Sequence, residues 1–310
     1  MSMKQGIRTS LLNINRAVSD PYWRWIRPDY VPLISYVTRN WGDAVNATLV
    51  GLITGKPVRV YDINLVKHRP DVALRESEVL LAIGSVLREA TSNSVVWGSG
   101  FISESCILRS APRRVVAVRG PLTAAKLREM GISCPNLYGD PALLFPRYYQ
   151  PVKSTKRYRL GIIPHYMDGK DPRLSRFASD PDTVLLDIKS GINRLIDDMC
   201  QCEAIASSSL HGLIMSDAYA IPSVWVGLGP LHGGLFKFHD YFESIHLAGM
   251  APVNLEHMKG TADLAHCAVL RDLTPLRLDD LLSACPHGSG ASPPFGGKGQ
   301  SEAVSESAEV

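Results

Sequence analysis

A serine-rich turn followed by a histidine is the part of this sequence best suited to chemistry. The run Ala206–Gly212 has the sequence Ala-Ser-Ser-Ser-Leu-His-Gly, follows a short apolar segment and opens a stretch with helical spacing. The first N–H groups of a helix lack intrahelical partners, and the helix dipole favours negative charge there. The run therefore predicts an anion-binding turn with the imidazole of His211 beside it.

The segments that follow this turn predict its place in a sheet. Leu213–Ala220 has the pattern of a short helix, Ile221 and Pro222 end it, and Ser223–Val226 is typical of the next strand. A strand, a turn, a helix and a strand in this order indicate a parallel α/β sheet. His211 is therefore expected at the carboxyl end of a strand, which is the edge where such sheets bind ligands.

Two α/β halves and a tail are predicted along the chain. The strand candidates are Val58–Tyr61, Val79–Ile83, Val95–Trp97 and Val115–Val118 in the first half, and Leu160–Ile163, Thr183–Asp187, Ala204–Ala206 and Ser223–Val226 in the second. Arg147–Arg159 lacks periodicity and is the predicted linker, whereas Gly191–Cys202 has helical spacing. We expect one domain over residues 1–150, a second over 151–285 and a disordered tail over 286–310. The tail is rich in Gly, Ser, Pro and Glu, which bury too little apolar surface to offset the entropy of ordering.

The composition excludes several classes of protein. The chain has 310 residues, of which 45% are hydrophobic and 20% charged, as in ordinary globular proteins. Its six cysteines lack the spacing of a zinc site or a disulfide framework, and the net charge of +3 is too small to indicate nucleic-acid binding. No segment approaches the roughly 18 apolar residues of a membrane span, and Met1–Arg24 lacks the apolar region of a signal peptide. We therefore expect a cytoplasmic protein with reduced thiols.

Further polar residues follow other strand candidates. The loop Arg39–Asn46 precedes a helix that Asp43 is expected to cap, and Gly42 allows the close approach of another group to the backbone. Arg119 follows a strand, and Pro121 suits the first turn of the next helix. The Arg119 guanidinium is therefore expected to face the ligand edge, where it suits bidentate binding of phosphate or carboxylate.

Structural roles explain several of these residues equally well. The turn Gly98–Gly100 lacks the third glycine of a dinucleotide fingerprint, and capping or turn formation accounts for Asp43 and Asp140. A solvated charge accounts for Lys237, and packing beneath the loops accounts for His165. A serine hydrolase is disfavoured, because the G-x-S-x-G elbow is absent and the histidine lies too close in sequence to the serines.

An ordered set of short motifs resembles one enzyme family. The motifs are Asn40–Asp43, Val96–Gly100, Ala117–Pro121, Tyr138–Pro141, Ile163–His165, Ser207–Gly212 and Phe236–Tyr241. Their order is similar to that in the polysaccharide pyruvyltransferases, above all the bacterial exopolysaccharide ketal pyruvyltransferases. The resemblance implies an α/β fold of two Rossmann-like domains that face a cleft, as in the GT-B glycosyltransferases. It also implies phosphoenolpyruvate as co-substrate, with no metal and no other cofactor.

The resemblance assigns roles to the residues of these motifs. It implies that the pyruvyl group passes to a sugar of an exopolysaccharide repeat unit, forms a cyclic ketal and releases phosphate. His211 is expected to bind the donor or act as the acid, Arg119 to clamp the donor, and Asp43 or Asp140 to deprotonate the sugar hydroxyls. The residues expected to bind substrate are Asn40, Gly42, Gly98, Ser99, Gly100, Asp140, His165, Ser207, Ser208, Ser209, Leu210, Gly212 and Lys237.

One position departs from the family pattern. Many members carry an arginine two residues before the histidine, where this chain has Ser209, so hydroxyl groups, N–H groups, Arg119 and Lys237 are expected to share the phosphate. The expected acceptor is a lipid-diphosphate-linked oligosaccharide, which would bring the protein into peripheral contact with the inner face of the inner membrane. Two alternatives stay open, a GT-B glycosyltransferase with a nucleotide-sugar donor and a non-catalytic carbohydrate-binding protein, because fold alone does not decide function.

Overall fold

Two parallel five-stranded sheets form the framework of the protein. The structure, a computed structural model, describes residues 29–151, 155–229, 233–288 and 293–295. The first sheet contains β1 (Val31–Ser35), β2 (Val58–Asp62), β3 (Val79–Leu81), β4 (Ser94–Trp97) and β5 (Arg114–Ala117). The second sheet contains β6 (Tyr158–Ile163), β7 (Thr183–Leu185), β8 (Cys202–Ser207), β9 (Ser223–Gly227) and β10 (Val253–Asn254).

Both sheets have the same strand order. The first is β2-β1-β3-β4-β5 and the second is β7-β6-β8-β9-β10. The order therefore reverses between β1 and β3 in the first sheet and between β6 and β8 in the second. In doubly wound sheets this reversal is the switch point, and ligands bind there, outside the carboxyl ends of the strands. The predicted α/β class is confirmed, and the sheets are consistent with two Rossmann-like domains, whereas the GT-B arrangement stays a prediction.

Helices connect the strands within each half. The helices of the described residues are α1 (Trp41–Thr54), α2 (Ile63–Val66), α3 (Asp71–Leu74), α4 (Pro121–Glu129), α5 (Ser175–Ala178), α6 (Ile192–Met199), α7 (Leu210–Ala218), α8 (Phe236–Ser244), α9 (Thr261–His266) and α10 (Leu278–Ser283). Short 3-10 helices lie at Leu87–Glu89, Pro141–Arg147, Pro172–Leu174 and Leu255–His257. Pro121 opens α4 as predicted, since its fixed φ suits a first helical turn. Gly55 ends α1 with a φ of 68°, a left-handed conformation that glycine adopts without strain.

The strands predicted from the sequence are all present, with ends displaced by no more than two residues. Two strands of the described residues were not predicted. β1 contains Pro32, which has no N–H for a ladder bond and weakens the strand pattern. β10 has only two residues, which is too short for any alternation to show. The missed β1 matters, because it forms one side of the first switch point.

One hydrophobic cluster passes through both halves of the protein. It includes Trp41 from the start of α1 and Trp225 from β9. The Trp41 ring packs edge-on against Phe145, with the ring centroids 5.6 Å apart. Its Nε1 donates a hydrogen bond of 3.0 Å to the carbonyl of Ile192, in the second half. The start of α1 is therefore fixed by contacts from both halves.

The C-terminal segment returns to the first half. In α10 the carbonyl of Leu281 accepts a 2.7 Å hydrogen bond from Trp97 Nε1, at the end of β4. The Phe295 N–H donates to the carbonyl of Arg147 at 3.1 Å. Residues 289–292 and 296–310 of the predicted tail lie outside the described residues. The proposed domain boundaries at 150/151 and 285/286 stay predictions.

Candidate functional site

His211 lies where the starts of two helices meet. It is the second residue of α7, and its imidazole packs on Gly42, the second residue of α1. A methyl group added at Gly42 would lie 2.2 Å from His211 Nδ1, so only glycine leaves room for the ring there. The His211 side chain is 16% exposed, so it is enclosed by protein and still borders solvent.

The imidazole faces a buried carboxylate. His211 Nε2 lies 3.8 Å from Asp140 Oδ2, and neither atom has a hydrogen-bond partner among the described residues. The other oxygen, Asp140 Oδ1, accepts the Ala142 N–H at 3.0 Å and caps the 3-10 helix Pro141–Arg147. A buried polar atom without a partner costs free energy, so two that face each other mark a place where a proton or a ligand completes the bonding.

Burial favours the neutral form of both side chains. Desolvation, aided by the positive charges of Lys237, Arg119 and His165, lowers the pKa of His211 from 6.5 to about 3. Desolvation raises the pKa of Asp140 from 3.8 to about 6, although hydrogen bonds from the backbone of Ala142 and Gly84 and the charge of Arg119 oppose this rise. The proton of the pair is therefore held by the carboxyl group up to about pH 6.

The basic groups around His211 create a positive field. Lys237 lies in the first turn of α8, and its Nζ is 5.5 Å from the centre of the Phe238 ring. Desolvation and the charge of Arg119 lower the pKa of Lys237 to about 8, whereas Asp168 opposes this change. Within the described residues the Lys237 ammonium has neither a hydrogen bond nor an ion pair. This field favours an anion beside His211.

The first two hydroxyl groups of the serine turn are bonded within the protein. Ser207 Oγ donates to a carbonyl at the end of β6 at 2.8 Å and accepts the Ser209 N–H at 3.0 Å. Ser208 Oγ donates to Asp168 Oδ2 and accepts the His165 N–H, each at 2.8 Å. These bonds join the ends of β6 and β8 and hold the turn in shape at the second switch point.

The first N–H groups of α7 donate no hydrogen bond to a capping side chain. Ser209 is the N-cap, but its side chain makes no capping hydrogen bond. The Leu213 N–H makes a 3.3 Å bond to the Ser209 carbonyl, and the N–H groups of residues 210–212 precede it. A methyl group at Gly212 would lie 2.1 Å from Ser207 Oγ, so glycine allows α7 to pack this closely on the turn. The arrangement suits an anion at the helix start.

Arg119 connects the two halves. Its buried guanidinium donates from Nε to Asp240 Oδ2 at 2.9 Å, from Nη1 to Ser85 Oγ at 2.6 Å and from Nη2 to the Phe101 carbonyl at 2.7 Å. Asp240 lies in α8 and also accepts the N–H of Thr123, in the first turn of α4, at 2.8 Å. The guanidinium was expected to face the ligand edge, but partners from both halves enclose it. Its role as a donor clamp stays a prediction.

Asn40, rather than Asp43, caps α1. Asn40 Oδ1 accepts the Gly42 N–H at 3.2 Å, which corrects the expectation that Asp43 is the cap. Asp43 lies in the first turn and accepts a 2.6 Å hydrogen bond from Thr38 Oγ1. Desolvation raises the pKa of Asp43 to about 6, with a smaller contribution from the charge of Asp62. The groups that act on Asp43 therefore belong to the β1 and β2 ends, and its role as a base stays a prediction.

The glycine turn after β4 is a packing element. Ser99 Oγ donates to a backbone carbonyl at 2.9 Å and is fully buried. A methyl group at Gly98 would lie 2.2 Å from Pro141 Cδ, and one at Gly100 would lie 2.6 Å from Arg119 Cζ. The glycines therefore allow the turn to pack between Pro141, next to Asp140 in sequence, and the Arg119 guanidinium. Close packing explains this turn, and a role in substrate binding stays a prediction.

The described ranges contain neither a cluster suited to a metal ion nor a helix suited to a membrane. There, no group of three or more His, Cys, Asp or Glu side chains is arranged to hold a metal ion. In the same part of the chain, no helix combines the length and apolar character needed to cross a bilayer. The six cysteines lie in the described residues as free thiols.

Comparison with known proteins gives the family of this chain. Residues 74–230 match the sequence model of the family described as polysaccharide pyruvyl transferase. The match covers half of the chain and includes Arg119, Asp140, His165 and His211. The chain belongs to the polysaccharide pyruvyl transferase family. Gly42 and Lys237, which the motifs also singled out, lie outside the matched residues, and the structure places both near His211.

Two curated proteins are similar to parts of this chain. Uncharacterized protein L143 of Acanthamoeba polyphaga mimivirus is 29% identical over 165 residues, which are 51% of this chain and 57% of that protein. Succinoglycan biosynthesis protein ExoV of Rhizobium meliloti (strain 1021) is 27% identical over 177 residues, which are 54% of each chain. The chain thus spans about half the length of the curated relatives it matches.

The structure gathers some of the predicted residues and adds others. Those near the imidazole are Gly42, Asp140, His165, Ser208, Ser209, Gly212 and Lys237. Leu210 instead lies in the shared hydrophobic core. Sequence reasoning gave no role to Asp168 or Asp240. Asp240 stands in the motif Phe236–Tyr241, and the need of a buried arginine for a counter-charge was the signal that could have found it.

Proposed function

We propose that this protein transfers the pyruvyl group of phosphoenolpyruvate to two hydroxyls of a sugar in a polysaccharide precursor. Family membership supports pyruvyl transfer, and a relative named for succinoglycan biosynthesis supports a polysaccharide acceptor. The observation that carries the proposal is the facing pair of unpaired atoms, His211 Nε2 and Asp140 Oδ2, at the start of α7. The proposed acceptor is an oligosaccharide linked to a lipid diphosphate on the cytoplasmic side of the membrane.

The donor would bind through its negative charges. The N–H groups of residues 210–212 and the ammonium of Lys237 suit the phosphate and carboxylate of phosphoenolpyruvate. An anion at this place favours the protonated forms of nearby bases, so it raises the pKa of both His211 and Lys237. The low pKa of His211 without the donor is therefore compatible with an imidazole that carries a proton once the donor is bound.

The transfer needs one proton delivered and two hydroxyl protons removed. Protonation of the methylene carbon converts it to a methyl group and leaves C2 electron-poor. One sugar hydroxyl adds to C2 and loses its proton, and the bond from C2 to the phosphate oxygen then breaks. The second hydroxyl adds to the same carbon and loses its proton, which closes the cyclic ketal. Inorganic phosphate leaves with the electron pair of the broken bond and takes up one of the two hydroxyl protons, while the other restores the acid.

We assign the delivered proton to the His211–Asp140 pair. The Asp140 pKa of about 6 is close to neutral pH, as efficient general acid catalysis requires. Asp140 is fully buried, so its proton would reach the substrate through His211, the member of the pair that borders solvent. Their separation of 3.8 Å has to shorten to about 3 Å for this transfer, and catalytic hydrogen bonds often tighten when the substrate binds.

The test is a product assay with purified full-length protein. We expect phosphate release from phosphoenolpyruvate that depends on an added lipid-linked oligosaccharide extract, and a methyl signal of a pyruvate ketal in the NMR spectrum of the product. A parallel reaction receives nucleotide sugars in place of phosphoenolpyruvate. Release of a nucleoside diphosphate there, without ketal formation in the first reaction, would replace the proposal by glycosyl transfer. Binding of oligosaccharide without either reaction would indicate a carbohydrate-binding protein.

A further inference from the structure

A cavity of about 330 Å³ lies at the switch point of the first sheet. Tyr36, directly after β1, and Ser85, four residues after β3, both line it. The order of the first sheet reverses between these two strands. A volume of this size is at the lower end of the range for small-molecule sites, and the position is the usual one for a ligand in such a sheet. The function proposed above for His211 assigns no role to this cavity.

Cationic side chains outnumber anionic ones in the wall of the cavity. Lys67, Arg88 and Arg109 line it, against the single carboxylate of Glu89. Arg109 is held in place, because it donates to the Lys67 carbonyl at 2.8 Å and pairs with Glu89 at 3.0 Å. The Arg88 guanidinium has neither a hydrogen bond nor an ion pair among the described residues. The wall thus offers the fixed positive charge of Arg109 and the unpaired guanidinium of Arg88, whose planar donor geometry suits a phosphate group.

Groups that bind hydroxyls lie next to these cations. The Glu89 side chain is 7% exposed, and its Oε2 pairs with Arg109 Nε at 3.0 Å, while the carboxylate keeps further lone pairs that can accept a hydroxyl proton. The Tyr36 hydroxyl accepts a 3.0 Å hydrogen bond from Lys67 Nζ and can still donate its own proton. An inorganic anion needs no such acceptor. A ligand with both a phosphate and hydroxyl groups would use the whole wall.

The Arg119 side chain connects the cavity to the His211 site. Ser85 Oγ lines the cavity and accepts a 2.6 Å hydrogen bond from Arg119 Nη1. The charge of Arg119 is in turn one of those that lower the pKa of His211. The Arg119 guanidinium therefore interacts with both sites, with the cavity through Ser85 and with His211 through its charge.

We propose that this cavity binds a phosphorylated sugar, with its phosphate on Arg88 and the neighbouring cations Lys67 and Arg109, and with a sugar hydroxyl on Glu89. This is a second anion site, separate from the one at the start of α7. It uses side-chain cations, whereas the start of α7 offers backbone N–H groups and a histidine.

Calorimetric titration of the full chain with glucose 1-phosphate, inorganic phosphate and glucose tests the proposal. We expect glucose 1-phosphate to bind at least about tenfold more tightly than glucose, because hydrogen bonds to charged groups are the stronger ones. Arg88→Ala should lower the affinity for glucose 1-phosphate about tenfold and leave the affinity for phosphoenolpyruvate unchanged. The matched control is Arg194→Ala, which removes one positive charge from α6, where the side chain is 76% exposed. This control should change neither affinity.

Several results would overturn the proposal. Equal weakening by Arg88→Ala and Arg194→Ala would show a general attraction of anions to a basic surface. Displacement of glucose 1-phosphate by phosphoenolpyruvate would show that both ligands share one site. Failure of glucose 1-phosphate to bind would show that the cavity does not bind a phosphorylated sugar. Glu89→Gln tests the sugar separately, since it should reduce the advantage of glucose 1-phosphate over inorganic phosphate. An unchanged advantage would overturn the assignment of a sugar.

Discussion

The two sheets share a strand order and differ at the point where that order reverses. Between β6 and β8, the second sheet holds a serine turn and a histidine that is enclosed against Asp140. Between β1 and β3, the first sheet holds an open cavity lined by charged side chains. The same topology therefore supports two kinds of site. One is enclosed and suited to moving a proton, and the other is open and suited to holding a charged ligand.

The helix starts explain this difference. At α1, Asn40 Oδ1 accepts the Gly42 N–H, and the Trp41 N–H donates to the Ile188 carbonyl at 3.1 Å. At α7, the Ser209 side chain makes no capping bond. A helix start whose N–H groups are already bonded cannot offer them to an anion. The first half therefore needs side-chain cations for that task, whereas the second half can use its backbone.

The largest effect is expected from separating the two halves at the Arg119–Asp240 pair. Asp240→Ala leaves a buried guanidinium without its counter-charge, so we expect the free energy of unfolding to fall by about 3–5 kcal/mol. Urea denaturation followed by circular dichroism measures it. The control is Asp279→Ala, because the Asp279 side chain is 90% exposed in its pair with Arg147 and should contribute less than about 1 kcal/mol. Equal losses in both variants would contradict this prediction.

The Arg119–Asp240 pair also shows what the sequence could and could not reveal. The serine turn and every strand except β1 and β10 were predictable, because apolar runs and turn residues act over a few positions. Arg119 and Asp240 are 121 residues apart, and no local pattern links them. The sequence placed Arg119 correctly after a strand, and the error concerned what surrounds its side chain. A partner supplied by the other half is a tertiary contact that periodicity does not encode.

The same limit applies at His211. The sequence predicted its position after a strand and at the start of a helix, because the motif Ser207–Gly212 is typical of such a turn. It did not predict that the ring would pack on Gly42, because that contact needs α1 to be pinned by Ile188 and Ile192 of the second half. The sequence thus indicated which single residues could take part in the chemistry. That His211 and Asp140 face each other became clear only from the folded structure.

The next largest effect is expected at the imidazole of the second switch point. His211→Gln keeps a polar side chain but removes the titratable ring, so kcat for pyruvyl transfer should fall about 100-fold or more, about 2.7 kcal/mol in the barrier. The far-ultraviolet circular dichroism spectrum should not change. His266→Gln, on the exposed end of α9, is the control and should keep full activity. Activity within a few fold of the unaltered protein in His211→Gln would show that the ring is structural.

The buried carboxyl of Asp140 should make stability depend on pH. Its pKa is about 6 in the folded protein and near 4 in the unfolded chain, so between these values the unfolded chain has already lost the proton. Stability contributed by Asp140 is therefore full below about pH 4 and falls as the pH rises to about 6. We therefore expect the free energy of unfolding of Asp140→Asn, relative to that of the unaltered protein, to rise by roughly 2–3 kcal/mol as the pH increases from 4 to 7. Urea denaturation of both proteins at each pH measures this difference.

His211 has the opposite dependence and provides an internal check. Its pKa is lowered on folding, so its contribution to stability is full above about pH 6.5 and falls as the pH decreases towards 3. Both proteins retain His211, so the difference between them isolates the carboxyl group. A difference that stays constant from pH 4 to 7 would contradict the raised pKa of Asp140.

A smaller effect is expected where α1 touches the imidazole. Gly42→Ala places a methyl group on the His211 ring and forces it to move, so we expect kcat/KM to fall about 10-fold to 100-fold. Stability should change little, because alanine favours the helix by up to about 1 kcal/mol and offsets part of the strain. Gly169→Ala is the control, since a methyl group there meets no atom within 4 Å. Equal activity of the two variants would show that the contact with α1 does not position the ring.

The smallest effect separates the two helix starts directly. Asn40→Ala removes the hydrogen bond that caps α1, so we expect a loss of about 1 kcal/mol in the free energy of unfolding. Ser209→Ala removes a hydroxyl that makes no capping bond on α7, so the loss should stay within about 0.5 kcal/mol. In equilibrium titrations, however, Ser209→Ala should weaken phosphoenolpyruvate binding, because the hydroxyl stands beside the N–H groups proposed to hold the donor. A Ser209→Ala variant that loses stability but keeps its donor affinity would assign Ser209 to the fold and leave the start of α7 without a ligand.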